Sequence, residues 1–166
     1  DNLLYLAKAE NVDYERNTPF DLSRACETAC TSIEAMLYDN GISLDTKIKE
    51  NITILADGEK ITQVLYVLLD NAGKYTPRNG RIIFSLDIEQ EWAVIRVSNT
   101  GQGIDPKDIT KIFDRFYRPD TSRSQEKGGF GLGLSIAKTI VERSGGRINA
   151  ESSGGITTFT VWLKHI

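Results

Sequence analysis

Two glycine-rich segments in the second half of the chain have the composition of a phosphate-binding surface. They lie at residues 99–104 and 128–134. Glycine lets a backbone approach a ligand closely and tolerates the positive φ values that make amide-lined concavities. The second segment runs into a helical pattern, and helix N-termini present free N–H groups and partial positive charge to phosphate. Alternating glycines also occur in plain turns, so they do not establish a site by themselves.

An earlier helical segment carries three side chains that suit the rest of a nucleotide. Asn71, Lys74 and Tyr75 stand at i, i+3 and i+4 and so share one helix face. An asparagine oxygen can hold Mg²⁺ while phosphates and water complete the octahedron, a lysine offsets phosphate charge, and a ring packs beside base or sugar. The alternative is an ordinary helix end before Thr76 and Pro77. Together with the glycines, these residues indicate a site for a nucleoside triphosphate with Mg²⁺.

Composition narrows the classes of protein that the chain could be. Its 166 residues are enough for one domain and a short appendage, with 40% apolar and 26% charged residues, as in soluble globular proteins. A net charge of −3 offers no basic surface for nucleic acid. The apolar runs are too short for a membrane span or a signal peptide. Because the chain starts at Asp1, we expect it to be a piece of a longer protein.

The two cysteines are interpreted as core residues. Cys26 and Cys30 lie four apart in a helical pattern. The alternative is a redox or metal-binding pair, but no other cysteine or nearby histidine completes a zinc set. Small hydrophobic side chains on one helix face are the expected role. The low cysteine content fits a reducing, cytoplasmic compartment.

The elements that must position these residues follow from periodicity and from turn signals. Expected helices cover residues 2–16, 22–39, 60–75 and 131–143, with a short one around 106–113. Expected strands cover residues 20–22, 42–48, 52–56, 81–89, 92–98, 147–152 and 157–164. Asp57 is expected to cap the helix that carries Asn71. Frequent hairpins without a regular βαβ rhythm predict an α+β sandwich, with one mixed sheet and helices on one face.

Several nucleotide-binding motifs are absent from the sequence. No G-x-x-x-x-G-K-[ST] occurs, so a Walker-type ATPase is not indicated. The chain also lacks the H-R-D motif of protein kinases. A dinucleotide-binding fingerprint at Gly101 and Gly103 fails, because position 106 is Pro rather than Gly.

Four segments, in order, resemble the catalytic, ATP-binding domain of a bacterial sensor histidine kinase, within the gyrase/chaperone/kinase/MutL-type ATPase superfamily. Residues 63–77 resemble the N box, residues 99–104 the first glycine box, residues 112–118 the F box and residues 129–136 the second glycine box. The match covers residues 18–166. It implies a two-layer α/β sandwich of the Bergerat type, with a mixed, mainly antiparallel sheet.

The resemblance also implies roles for individual residues. Asn71 would bind Mg²⁺, Arg118 would neutralise γ-phosphate charge, and both would act in catalysis with Lys74. Residues 104–130 would form a mobile ATP lid in a catalytic domain spanning 17–166, and residues 1–16 would end the dimerisation and phosphoacceptor helix. The implied nucleotide-binding set is Asn71, Lys74, Tyr75, Asn99, Gly101, Gly103, Ile104, Phe113, Tyr117, Arg118, Gly129, Phe130, Gly131, Leu132, Gly133 and Leu134.

Two positions depart from the family pattern. The first glycine box usually begins with Asp, which accepts the exocyclic amine of adenine, whereas this chain has Asn99. Its amide oxygen can still accept that hydrogen bond, without charge assistance. Val67 stands where kinases usually carry an Asn and where hydrolytic relatives and anti-sigma serine kinases carry a Glu base. Valine cannot take a proton, which argues against a water-activating ATPase.

The function implied is transfer of the γ-phosphoryl group of ATP to a histidine on the dimerisation domain, followed by relay to a response-regulator Asp. That acceptor is absent here, since His165 is expected to be a terminal surface residue. The parent protein would be a membrane-anchored homodimer with this part in the cytoplasm, and no nucleic acid partner is expected. The alternatives are a degenerate module that binds nucleotide without catalysis and a serine kinase or anti-sigma switch protein, the latter disfavoured by Val67 and the helix tail at 1–16. That tail could pack on a partner or on its own domain.

Overall fold

A computed structural model describes residues 16–117 and 132–166 of the chain. The described helices and the seven described strands follow one another along the sequence in the order that periodicity predicted. Their bounds are β1 Thr18–Asp21, α1 Leu22–Asp39, β2 Ser43–Ile48, β3 Thr53–Ala56, α2 Gly58–Tyr75, β4 Arg81–Glu89, β5 Trp92–Thr100, α3 Gly133–Arg143, β6 Arg147–Ser153 and β7 Ile156–Lys164. The helix tail expected at residues 1–16 lies outside the described residues except for Arg16.

Five strands form the main sheet, in the order β2-β4-β5-β7-β6. The pair β2–β4 is parallel, and the other three neighbouring pairs are antiparallel. This arrangement, with helices on one side, confirms the predicted α+β sandwich with a mixed, mainly antiparallel sheet. The expectation of one sheet needs a correction, because β1 and β3 pair with each other in a separate two-stranded sheet. The bridge between Ile54 and His165 and the Ile166 N–H bond to the Thr53 carbonyl join β3 to the end of the β7 segment.

The core lies between the main sheet and the helices. Helix α2 packs between α1 and α3. Its apolar positions keep helical spacing, and all of them are buried: Ile61, Val64, Leu65, Leu68 and Leu69. Alternate residues of β4 are buried on the facing side of the sheet: Ile82, Phe84 and Leu86. The apolar face of helix α2, with its period of 3.6 residues, and the apolar face of strand β4, with its period of two, therefore belong to the same core.

Local signals set the ends of the helices. The Asp57 side chain caps α2, as predicted, by accepting the Glu59 N–H over 3.1 Å. Asp21 caps α1 in the same way by accepting the Arg24 N–H over 3.0 Å. Both caps satisfy N–H groups that lack a partner within the helix.

The segment after the first glycine box differs from the prediction. A short helix was expected around residues 106–113, but the structure has successive turns there. Lys111 N–H bonds to the Asp108 carbonyl and Asp114 N–H bonds to the Lys111 carbonyl, each reaching back only three residues. Bonds of this kind close tight turns and do not build the i→i−4 ladder of an α-helix.

Cys26 and Cys30 are buried core residues of α1, as predicted. Burial raises the pKa of the Cys30 thiol to about 12 and also raises the pKa of the Cys26 thiol. Both side chains are therefore neutral thiols in the folded protein and act as small hydrophobic groups. No helix among the described residues has the length and apolar content needed to cross a bilayer.

Candidate functional site

The last two turns of α2 present the residues predicted to hold metal and phosphate. Asn71 is half-buried, and its amide makes no hydrogen bond to any residue that the structure describes. Lys74 Nζ lies 3.1 Å from Asp70 Oδ2, and the two side chains are 39% and 60% exposed. Tyr75 is 40% exposed at the end of the helix. The shared face predicted from their spacing is thus accessible to a ligand.

Asn99 presents a hydrogen-bond acceptor near the end of β5. The residue is only 6% exposed, and its Nδ2 donates to the Thr100 carbonyl over 3.1 Å. Because a carbonyl must face a donor, this contact sets the amide orientation and leaves Oδ1 directed elsewhere. Within the described residues Oδ1 has no hydrogen-bond partner. The adenine-binding role of this amide oxygen stays a prediction.

Gly101 brings the first glycine box against the end of α2. A Cβ at this position would lie 2.8 Å from the Tyr75 carbonyl oxygen, closer than real Cβ contacts allow. Glycine therefore permits the close approach of two segments that lie far apart in sequence. This contact places Asn99 and the Asn71–Tyr75 face on neighbouring parts of the molecule.

The second glycine box reaches the same helix from another direction. Gly133 begins α3, and a Cβ there would lie 3.5 Å from Cγ1 of Val67 on α2. Leu132 occupies the N-cap position, is buried, and provides no side-chain cap. The first turn of α3, which carries the positive end of its dipole, therefore meets α2 at Val67, one helical turn before Asn71. Four residues predicted for this surface lie outside the described residues: Arg118, Gly129, Phe130 and Gly131.

The start of the expected lid is anchored to the core. Phe113 packs edge-to-face on Phe159, with ring centroids 6.1 Å apart at 87°, and Lys138 Nζ lies 5.9 Å from the centroid of the Phe113 ring. The Tyr117 hydroxyl donates to Asp108 Oδ1. Ile104 and Leu134 are likewise half-buried and pack against the core. Ile104, Phe113 and Tyr117 thus connect residues 104–117, the described part of the expected lid, to the body of the domain.

Two polar residues of this region were missed by the sequence analysis. Thr157 lies directly opposite Asn99 in the β5–β7 pair and is only 6% exposed. Its Oγ1 is 2.9 Å from Ser152 Oγ, which accepts the Ile104 N–H over 2.8 Å. The strand alternation that buries Phe159 and the next inward positions could have marked Thr157 as a polar residue facing inward.

Comparison with known proteins gives one family and consistent relatives. Residues 56–165 match the model of the family described as histidine kinase-, DNA gyrase B-, and HSP90-like ATPase. The chain is 38% identical over 168 residues to the sensor histidine kinase WalK of Bacillus subtilis, covering 99% of this chain and 28% of WalK. It therefore spans well under a third of that relative's length.

Solved structures agree with the sequence relatives. The nucleotide-free catalytic domain of histidine kinase ThkA has a TM-score of 0.78 and 28% identity, over 89% of this chain and 95% of that domain. Histidine kinase ThkA in complex with response regulator protein TrrA has a TM-score of 0.80 at 24% identity, over 99% of this chain and 46% of ThkA. At 24% identity, the similarity to ThkA in that complex shows a shared fold only.

Proposed function

This chain belongs to the histidine kinase-, DNA gyrase B-, and HSP90-like ATPase family and has the fold of a histidine kinase catalytic domain. From that premise we propose that it binds Mg·ATP and transfers the γ-phosphoryl group to a histidine of a dimerisation domain. One observation carries the proposal. Gly101 meets the end of α2 at Tyr75, and Gly133 meets the same helix at Val67. Both glycine boxes thus border the helix segment that carries Asn71.

Base recognition would depend on Asn99 and Thr157. The open Oδ1 of Asn99 is an acceptor for the exocyclic amine of adenine, and the Thr157 hydroxyl lies across the strand pair from it. A neutral amide makes a weaker hydrogen bond than the carboxylate of the usual family pattern. We therefore expect adenine recognition to be retained at reduced affinity.

The donor set of the site fits one hard cation. Asn71 offers an amide oxygen with no hydrogen-bond partner among the described residues, and those residues hold no group of three acidic, cysteine or histidine side chains that could bind a metal alone. Such an ion would depend on Asn71 together with phosphate and water oxygens. When bound, Mg²⁺ supplies charge neutralisation on the phosphates. Lys74 supplies a further positive charge.

The proposed transfer joins an imidazole nitrogen to the γ-phosphorus and breaks the bond to the β–γ bridging oxygen, which leaves with ADP. The enzyme contributes mainly position and charge stabilisation. The free N–H groups of α3 would face the phosphates, with Arg118, Gly129 and Gly131 as further predicted contributors outside the described residues. Val67 offers no base for water, so the nucleophile must come from elsewhere.

The acceptor is proposed to lie outside this chain. The ring nitrogens of its only histidine, His165, lie 3.0 Å from the carbonyl oxygens of Ile166 and Gln90. Both nitrogens are thus occupied by backbone contacts. We expect this chain alone to bind Mg·ATP without phosphorylating itself.

The proposed partners are the dimerisation and phosphoacceptor domain of the same kinase and the receiver domain of a response regulator. The ThkA–TrrA complex, a histidine kinase of the same fold with a response regulator, supports the second partner. We further propose a membrane-anchored homodimeric parent protein, with this domain on the cytoplasmic side.

The proposed reaction is tested by trans-phosphorylation. The chain is mixed with a dimerisation domain carrying the acceptor histidine and with γ-labelled ATP, and acid-labile label on that histidine supports the kinase. Asn99 and Val67 support a second candidate, a module that binds nucleotide without transferring phosphate. Tight ATP binding with no label on any supplied acceptor would favour that module.

Asn71→Ala is expected to abolish the Mg²⁺-dependent part of ATP binding, because the only proposed protein ligand for the ion is lost. Calorimetry with ATP in the presence and absence of Mg²⁺ measures this. Asn149→Ala, which removes an exposed amide from β6, is the matched control and should bind as the unaltered chain does. Unchanged affinity of Asn71→Ala for Mg·ATP would rule out the metal assignment.

A further inference from the structure

Strand β2 forms one open edge of the main sheet, and a groove of about 560 Å³ lies between it and the end of α1. The groove is lined by apolar side chains and by two carboxylates, among them Leu37, Tyr38, Ile42, Leu44, Glu34 and Asp39. We propose that this edge and groove bind an extended segment of a partner protein, which adds to β2 as a further strand and turns apolar and basic side chains into the groove. This inference goes beyond the proposed phosphoryl transfer and does not depend on it.

The backbone of β2 provides the hydrogen-bonding groups for such a strand. β2 runs parallel to β4, its one neighbour among the described strands. At its start, Ser43 N–H donates to the Gly80 carbonyl over 3.1 Å. Just after its end, Lys49 N–H donates to the Leu86 carbonyl over 3.0 Å. Successive residues of a strand direct their N–H groups to opposite sides, so the odd-numbered residues bond to β4. Three residues therefore direct their N–H and C=O groups to the open edge: Leu44, Thr46 and Ile48.

The face of β2 on the groove side carries no charge. Leu44 and Ile48 are half-buried and pack against the core, with the exposed, uncharged Thr46 between them. Asp45 and Lys47 stand on the other face of the sheet, because side chains alternate along a strand. Open edges are commonly kept from pairing by inward-pointing charges, by Pro or by bulges. The alternation of β2 therefore leaves its groove side suited to a further strand.

The charges of the groove favour a basic segment. Glu34 and Asp39 are exposed near the end of α1, and neither forms an ion pair with a described residue. The described residues that line the groove include no Lys or Arg. Basic side chains of an added strand could pack their aliphatic stems on Leu44 and on the ring of Tyr38, which is 84% exposed, and reach the carboxylates with their charged ends. Backbone bonds would supply affinity, and these side chains would supply specificity.

The test uses a labelled peptide with blocked ends, Thr-Arg-Thr-Val-Thr-Arg-Thr, which presents Arg, Val and Arg on one face of a strand. Binding is measured by fluorescence anisotropy, and its place by amide hydrogen exchange. The counterpart with Glu in place of Arg should bind at least about tenfold more weakly, because like charges repel. The Arg peptide should slow exchange of the Leu44, Thr46 and Ile48 amides. Absence of binding, equal binding of both peptides, or protection of β6, the other open edge, overturns the inference.

Thr46→Pro tests the strand-addition geometry. It removes an N–H that points to the open edge and leaves the N–H groups that bond to β4 in place, so the folded variant should bind the Arg peptide at least about tenfold more weakly. Thr46→Ala is the matched control, because it removes the same side chain and keeps the N–H. It should bind as the unaltered chain does. Equal weakening by both substitutions would mean that the side chain is recognised, which overturns strand addition.

Glu34→Lys is a second arm in case Thr46→Pro does not fold. It should weaken binding of the Arg peptide by about threefold, and by less at high salt. Glu27→Lys makes the same charge change two turns earlier on the same face of α1, outside the groove, and should have no such effect. Equal effects would show attraction by net charge alone and overturn the inference. Sedimentation of the unaltered chain tests a second copy as the occupant, and a dimer that Thr46→Pro abolishes would overturn the assignment to a partner protein.

Discussion

Val67 limits the chemistry of the site through its side-chain type and its position. It is half-buried on α2, packs against the core, and faces the first residue of α3, Gly133. A valine there cannot activate water, so it supports a domain that presents ATP to an external nucleophile. The same side chain acts as a spacer between two helices. Val67 therefore affects both the reaction, since it provides no base for water, and the packing of α2 against α3.

Gly133→Ala should separate folding from phosphate binding. The added Cβ would meet Val67 Cγ1 at 3.5 Å, an ordinary contact, and alanine favours a helix over glycine by about 0.5–1 kcal/mol. Stability to urea should therefore be unchanged or slightly raised. If the first turn of α3 faces the phosphates as proposed, ATP affinity should fall, because the methyl group narrows the space beside its N–H groups, whereas adenosine affinity should not change. Equal weakening of ATP and adenosine would place Gly133 away from the phosphates.

Helix α2 organises the domain, and close contacts occur along its length. At its start, a Cβ on Gly58 would lie 2.5 Å from Cδ1 of the Phe20 ring on β1. At its end, Tyr75 meets Gly101. In between, Gly73 faces Met36 and Leu37 on α1 at ordinary contact distances. Gly58 therefore has no room for a Cβ unless the Phe20 ring moves, whereas Gly73 of the same helix has room for one.

Gly58→Ala and Gly73→Ala should shift stability in opposite directions. The first pushes the Phe20 ring aside and should cost about 1–3 kcal/mol of unfolding free energy. The second gains helix propensity with a Cβ 3.4 Å from the flexible end of Met36, and should add about 0.5–1 kcal/mol. Urea unfolding of the two variants measures both effects. Shifts of the same sign would show that propensity, and not the Phe20 contact, governs the start of α2.

At the scale of the whole molecule, the last two residues connect the two sheets. His165 N–H bonds to the Glu91 carbonyl in the β4–β5 turn, and Ile166 N–H bonds to the Thr53 carbonyl of β3. The two ring nitrogens of His165 lie 3.0 Å from the carbonyl oxygens of Ile166 and Gln90. Carbonyl oxygens only accept, so both contacts are satisfied when the ring is the doubly protonated imidazolium. The expected surface histidine is thus half-buried and joins separate parts of the fold.

Protonation of His165 should make stability depend on pH. Hydrogen bonds to the Ile166 and Gln90 carbonyls raise the pKa of this imidazole above its ordinary value of 6.5. Its contribution is complete below that value and is lost as pH rises through the raised pKa of the folded state. His165→Gln should therefore cost more stability at about pH 5.5 than at about pH 8.5. Unfolding free energies of both proteins at the two pH values measure this, and an equal difference at both contradicts it.

Patterns among residues close in sequence were sufficient to predict most of the helices and strands of this protein. Apolar spacing located α2, an acidic residue before it identified its cap, and four ordered boxes marked Asn71, Asn99 and the glycines. Such features depend on residues within a few positions of one another. The turns at residues 105–117 were harder to predict, because a proline after an acidic residue starts a turn as readily as a helix.

Other features depended on contacts between distant segments. The pairing of β1 with β3 apart from the main sheet, and the parallel alignment of β2 with β4, follow from register and packing that no local pattern specifies. Ser152 and Thr157 became visible only when β6 and β7 lay beside the first glycine box. The amino-acid sequence determined which elements form and which chemistry they carry, since periodicity and side-chain type are local. The tertiary structure alone decided which hydroxyls lie beside Asn99 and the first glycine box, because that depends on which strands become neighbours.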